Sequence, residues 1–192
     1  MKVTAIVLAA GESRRMGRQK LLMELDGKPL IRHVVDAVAA SRVDEIIVVT
    51  GGHHDEVMAA VGDAAKFVRN PEPTRGMLSS VRCGLEVADA GTEAVAIFLG
   101  DQPRLRPAVI DAVLTAFTES SQSIAVPVMN GKRGHPLVFA ARYRDEILSL
   151  FDEAGLRGLL AAHPDEVLTV PVDSAAVLED VDTLEDFQKL AD

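Results

Sequence analysis

Short β-branched apolar runs alternate with amphipathic stretches along this chain, which predicts an α/β fold: a mostly parallel sheet between two layers of helices. Two further observations agree. The first apolar run, residues 3–8, empties into a small-residue loop containing Gly11 and Gly17, as a central strand feeding a ligand loop would. The 192 residues, 48% of them hydrophobic, suffice for one domain, 1–192, with a full α/β core.

Taken in order, strands are expected at 3–8, 45–50, 66–69, 95–99, 124–128 and 167–170, where Val, Ile and other apolar residues dominate. Between them, 29–40, 55–61, 77–87, 107–119, 143–151 and 156–162 carry apolar residues at helical spacing. Pro29 and Pro107 stand at helix starts, where the missing N–H costs nothing. Parallel neighbours need crossover connections, so helices should cover both faces of the sheet. Gly131-Lys132-Arg133-Gly134, between an apolar run and Pro136, predicts a hairpin turn and one antiparallel excursion. Residues 173–192 hold seven acids against Lys189 and end in a short helix.

Composition removes several classes of partner. A net charge of −9, no Trp and 4% aromatic residues argue against a nucleic-acid partner. No apolar run approaches about 18 residues, so no membrane partner is expected. The first run is too short, and too quickly followed by charges, for a secretory signal; a cytoplasmic protein is expected. Cys83 is the only cysteine, which excludes an internal disulfide, and its helical setting suits a small apolar role.

The loop after the first strand reads Leu8-Ala9-Ala10-Gly11-Glu12-Ser13-Arg14-Arg15-Met16-Gly17-Arg18-Gln19-Lys20. Four cations face one acid there, and backbone N–H groups beside cations at a strand's carboxyl end suit a polyphosphate. It is not a Walker A loop, because Gly11 and Gly17 are one residue too far apart and Arg18 follows. It is not the dinucleotide fingerprint either, since no glycine stands two residues after Gly11. What remains, L-A-A-G-x-S-x-R-M-G-x-x-K, resembles the signature loop of the MobA-like nucleotidyltransferases, especially their molybdenum cofactor cytidylyltransferase branch. An Arg-rich surface loop is the bland alternative.

Further segments extend the resemblance over essentially the whole chain. Leu99-Gly100-Asp101-Gln102-Pro103 follows another apolar run; alone it would be a turn capping a strand, but beside the first loop it resembles the family's G-D-x-P metal motif. Asp180-Val181-Asp182-Thr183-Leu184-Glu185-Asp186 is similar to the family's D-x-D-T-P-E-D, whose second Asp helps hold the metal; Leu184 replaces the usual Pro. Period-2 spacing puts Asp180 and Asp182 on one side of an extended segment, and Thr183 with Asp186 forms a capping-box variant. Gly76-Met77-Leu78-Ser79-Ser80 opens a helix whose free N–H groups and hydroxyls either cap it or meet a nucleotide, as the equivalent turn does in the family. Asn70 is a candidate base-contacting amide. Gly134-His135-Pro136 resembles the G-H-P on the side where the second substrate enters, though a histidine in a turn is as readily a solvated residue. His33, His53, His54 and His163 lack ligand spacing for zinc.

The resemblance implies a three-layer, Rossmann-like nucleotidyltransferase in which an acceptor phosphate attacks the α-phosphorus of a nucleoside triphosphate and expels pyrophosphate. Arg15, Lys20 and Asp101 would be catalytic, with Asp101 and Asp182 holding Mg²⁺. Leu8, Ala9, Ala10, Gly11, Ser13, Arg15, Lys20, Asn70, Ser79 and Ser80 would bind the nucleotide, and His135 the acceptor. CTP and a molybdopterin-type phosphorylated acceptor are the implied substrates, and a downstream molybdoenzyme or its chaperone the implied partner. Guanylyl-transferring relatives tend to carry a second glycine where this chain has Ala10, and are more apolar where it has Ser79-Ser80. The alternatives are a guanylyltransferase or small-phosphate nucleotidyltransferase on the same site, an NAD(P)H-dependent oxidoreductase of the MobA-like group, and a non-catalytic cofactor-binding protein.

Overall fold

The computed structural model describes residues 1–13 and 19–191 of the chain. Its strands are β1 (Val3–Ala9), β2 (Glu24–Leu25), β3 (Lys28–Pro29), β4 (Glu45–Thr50), β5 (Lys66–Arg69), β6 (Ala94–Leu99), β7 (Ile124–Met129), β8 (Lys132–Arg133), β9 (Leu137–Ala140) and β10 (Val167–Pro171). The helices are α1 (Leu30–Ala39), α2 (His54–Val61), α3 (Met77–Val87), α4 (Pro107–Glu119), α5 (Arg144–Ser149), α6 (Leu156–Ala162) and α7 (Leu184–Ala191). One sheet runs β10-β7-β9-β6-β1-β4-β5, with β8 paired to β7. β1 is parallel to both β4 and β6, β4 to β5, and β7 to β10; β9 is antiparallel to β6 and β7.

Side-chain alternation along β1 explains the three layers. Ala5 and Val7 face one way and pack with α1, α2 and α4 through Ile31, Val35, Val57, Ile110 and Val113. Ile6 faces the other way, into Leu78, Val81 and Leu85 of α3, Ile147 of α5 and Leu159 of α6. Both faces of β1 are thus buried, which is why the strand reads as a continuous apolar run instead of an alternating one.

The expected elements appear with shifted ends, and the antiparallel excursion differs in register. Its turn is Asn130-Gly131, both with positive φ (49° and 75°), and Lys132 and Arg133 are already in strand β8. Asn-Gly is the pair that a two-residue type I′ hairpin favours, so the turn lies one residue earlier than the glycine spacing of 131–134 suggests. β9 was not expected; its run Leu137–Ala140 is wedged between β6 and β7 and buried there. A second small hairpin, β2–β3, turns at Asp26-Gly27 (φ 52° and 74°), another type I′ signal that the helical spacing of 29–40 masked. Pro29 consequently ends β3 and caps α1 from outside. The helix expected at 143–151 is shorter, because residues 141–143 form a 3₁₀ turn and Phe151 takes a positive φ of 72°.

Candidate active site

The chain leaves β1 for β4 on one side and returns to β6 on the other, so a crevice opens past the carboxyl ends of β1 and β6. A cavity of about 380 Å³ occupies it, walled by Leu8, Ala10 and Gly11 from the end of β1, by Lys20, and by Asp101 just past β6. The two strand ends approach closely. Gly100 N–H donates to the Leu8 carbonyl at 3.0 Å, and a Cβ on Gly100 would lie 2.8 Å from that oxygen, so only glycine allows Asp101 to follow directly. Ala9, between the wall residues Leu8 and Ala10, points into the core instead.

The N-terminal loop is tied back on itself before it reaches the crevice. Ser13, with a positive φ of 48°, donates from Oγ to Gln19 Oε1 at 2.8 Å and accepts the Lys20 N–H at 3.0 Å. Gln19 Nε2 in turn donates to the Gly11 carbonyl at 3.0 Å. Lys20 then opens a short 3₁₀ turn, Lys20–Leu22, anchored by buried Leu21. Its ammonium lies 2.5 Å from Asp101 Oδ2 and 3.0 Å from Asp182 Oδ1. Burial alone would lower the Lys20 pKa, but the two carboxylates outweigh it and hold the ammonium above its ordinary range.

Asp182 arrives from the other end of the chain, and its placement has a clear cause. Val181 is fully buried with Leu25 and Leu30 of the β2–β3 hairpin region, where Phe187 and Leu190 of α7 also pack. Its N–H donates to the Asp101 carbonyl at 3.0 Å. The extended segment therefore lies across the end of β6 with both flanking aspartates on the cavity side. α7 begins with a reciprocal cap: Asp186 N–H donates to Thr183 Oγ1 at 3.1 Å, and Thr183 N–H donates to Asp186 Oδ2 at 2.8 Å. This is a capping box with Asp in the Glu position, and it forms with Leu184 in place of proline.

Asp180, which the motifs alone did not single out as a site residue, also lines the cavity. Burial pushes its carboxyl upward, with Asp101 and Asp182 adding to that and a hydrogen bond from Gln102 opposing it. Gln102 is buried, and its Nε2 donates to Asp180 Oδ1 at 2.7 Å and to the Val177 carbonyl at 3.3 Å. The period-2 spacing with Asp182 was the available signal for Asp180; nothing local announced Gln102.

The remaining candidates divide. Ser80 lines the cavity, whereas Ser79 and Asn70 face a separate surface cleft beside it. Asn70 does not present its amide to the cavity: Nδ2 donates to Ser79 Oγ (2.8 Å) and Ser80 Oγ (3.0 Å), and Oδ1 accepts from Glu72 N–H (2.9 Å). Its place is therefore behind the serines, fixing the turn that opens α3. Ser79 Oγ also donates to the Gly76 carbonyl at 2.8 Å, but it caps nothing: Gly76 holds the N-cap position of α3, and no side chain accepts from the first-turn N–H groups there. His135 lies in a second cavity of about 660 Å³, with Arg133 and Arg157 on its rim and Met77 shared with the first cavity. Gly134 packs so tightly on the Val177 carbonyl that any Cβ would clash at 2.2 Å, which accounts for the glycine of the G-H-P run. Burial holds the His135 imidazole at about 4, below its ordinary 6.5, with Asp101 pulling the other way. It is neutral at physiological pH. Arg15 lies outside the described residues.

Among the described residues no group of three or more His, Cys, Asp and Glu is arranged to cage a metal. A small hard cation carried in on phosphate oxygens needs no cage; one or two carboxylates complete its shell. Asp101 and Asp182 fit that requirement, since the Lys20 ammonium already sits between them as a cation of the protein's own.

A strand-end cavity with an anchored, cation-bearing loop on one side and carboxylates on the other defines an α/β protein that handles nucleoside phosphates. Residues 5–173 match the MobA-like NTP transferase domain, and the chain belongs to that family of nucleotidyltransferases. A probable molybdenum cofactor guanylyltransferase of Pyrococcus horikoshii is 34% identical over 161 residues, covering 82% of this chain and 78% of that protein. The nicotine blue oxidoreductase of Paenarthrobacter nicotinovorans is 28% identical over 98% of this chain and 96% of its own. The bifunctional protein GlmU of Sorangium cellulosum is 43% identical over 55% of this chain, but the match spans just 24% of GlmU's length. The crystal structure of Rv0371c from Mycobacterium tuberculosis H37Rv, a complex with manganese, superposes with a TM-score of 0.84 at 26% identity, covering 100% of this chain and 98% of that one. No helix among the described residues is long and apolar enough to cross a membrane.

Proposed function

We propose that this protein transfers CMP from CTP to a phosphorylated, molybdopterin-type acceptor, releasing pyrophosphate. One observation carries the reading: the meeting of Lys20, Asp101 and Asp182 at the β1/β6 crevice. Transfer at phosphorus asks little covalent work of a protein; alignment and charge stabilisation dominate. The Gly11 backbone and Lys20 would receive the triphosphate, and Lys20 would neutralise the charge that develops on departing pyrophosphate. Asp101 and Asp182 would hold Mg²⁺, which when bound supplies Lewis-acid charge to the phosphate oxygens; the manganese complex of Rv0371c supports a divalent cation here. Ser80 would face the sugar or base from the start of α3.

The second cavity supports the acceptor half of the reading. It adjoins the first at Met77, so an acceptor lodged there would lie next to a triphosphate bound in the first cavity. Arg133 and Arg157 would supply its positive charge, and His135, being neutral, a hydrogen bond.

Cytosine is favoured by Ala10, whose methyl takes up cavity wall that a glycine would leave open, and by the Ser80 hydroxyl. Guanylyl transfer is the second reading, because the Pyrococcus relative is named for it. Hydride transfer, suggested by the Paenarthrobacter relative, suits the site less: a lysine among three carboxylates is chemistry for phosphate and cation. Competition between equal CTP and GTP with molybdenum cofactor as acceptor tests base choice, with products resolved by mass. The cytosine dinucleotide should exceed the guanine form by roughly tenfold, since one unpaired buried polar group costs about 1–3 kcal/mol. A predominantly guanine product would move the protein to the second reading.

A further inference from the structure

We infer that Lys20 is an exchangeable internal cation: it holds Asp101 and Asp182 together in the nucleotide-free protein and gives them up to the incoming triphosphate. Three observations converge on this. The ammonium touches both carboxylates, at 2.5 and 3.0 Å, so it stands where a second cation would have to stand. The backbones that carry the two carboxylates are tied to each other, because Val181 is fully buried and its N–H is bonded to the Asp101 carbonyl at 3.0 Å, so the pair of carboxylates stays at one place with the ammonium between them. The Lys20 backbone is fixed by Ser13 and Leu21, while four methylenes give the ammonium the reach to turn from the carboxylates to a phosphate beside them.

Consequences follow for the order of events. A divalent cation arriving alone must displace an ammonium already paired twice, at a net cost in affinity. A cation arriving on a triphosphate brings new anions for Lys20 to accept in exchange, so both ion pairs are replaced and none is lost. Lys20 would then make the two carboxylates selective for a cation delivered with nucleotide, and would be carried to the phosphates by the same exchange. This inference rests on the metal-assisted reading above but is separable from it, because its decisive test contains no nucleotide and no acceptor.

The test is titration with Mn²⁺ alone, read by the loss of the free-ion electron paramagnetic resonance signal. Lys20→Met keeps the length of the side chain and removes the charge; Lys20→Gln serves as a second variant should the first fold poorly by circular dichroism. Lys28→Met removes an equal charge from β3, where Lys28 pairs with Asp36 away from the cavity. The Lys20 variants should bind Mn²⁺ at least tenfold more tightly than wild type, and Lys28→Met should bind within twofold of it. With a non-hydrolysable CTP analogue present the order should reverse, wild type binding the Mn²⁺ complex more tightly. Unchanged or weaker Mn²⁺ binding by the Lys20 variants would overturn the exchange, as would an equal tightening by Lys28→Met.

Discussion

Lys20 and Asp101 were both readable as site candidates, Lys20 from a long loop motif and Asp101 from a short run that gains meaning only beside that loop; their ion pair was not readable. Asn70 was not legible. A polar residue near a helix start looks the same in sequence whether it faces a ligand or its neighbours, and here Ser79, Ser80 and Glu72 use up its amide. Gln102 was hidden for the same reason: its partner Asp180 is 78 residues away. Asp101→Asn should fold normally and lose turnover, since the amide keeps the shape but not the charge that holds a hard cation; near-normal pyrophosphate release from the folded variant would contradict that. His135 gives a pH signature. Its folded pKa of about 4 lies below the ordinary 6.5, so as pH falls the unfolded chain takes up the proton first and stability drops from about pH 6.5 toward 4. His135→Gln should flatten that part of the stability profile in denaturant titrations. An unaltered slope would mean that another group carries it.

Two short hairpins and the closing segment account for most of what the sequence concealed among the secondary-structure elements. Asp26-Gly27 and Asn130-Gly131 are both strong turn pairs, yet the strands they join are two residues long on at least one side, too short for a periodicity to register. β9 is buried between neighbours on both sides, so it shows an apolar run without alternation, ambiguous between strand and helix. The capping box of α7, by contrast, was readable, because it depends on two residues three apart and on nothing distant. What the cap could not reveal is that Val181, just before it, clamps Asp182 to the far end of the chain. Val181→Ala should cost roughly 2 kcal/mol in stability from lost burial and the cavity left behind. It should also weaken Mn²⁺-nucleotide binding by calorimetry more than Thr183→Ala does, which loses only a helix cap worth about 1 kcal/mol. Equal effects of the two variants on nucleotide binding would show that Val181 positions nothing.

Taken as a whole, the molecule brings the end of β1 and Lys20 together with Asp180 and Asp182, from near the other end of the chain, at one crevice, and the sheet order is what makes that possible. With β1 between β4 and β6, the loop after β1 and the aspartate after β6 meet at the point where the chain reverses direction across the sheet. The alternation predicts a mostly parallel sheet and the two motifs put candidates at strand ends; the strand order that joins them comes from the structure. The second cavity was not readable either, because its lining is gathered from α3, β7, β9, α6 and the turn at His135, and no local pattern announces such a collection. If the two adjoining cavities hold a nucleoside triphosphate and a phosphorylated acceptor, the labelled fate of each phosphate is fixed. Incubation with molybdenum cofactor, Mg²⁺ and CTP labelled at either the α or the γ position reads it out. The α label should appear in the acceptor product and the γ label in pyrophosphate, both lost together in Asp101→Asn. Label remaining in CTP, with consumption of NAD(P)H when that is supplied instead, would contradict nucleotidyl transfer by this site.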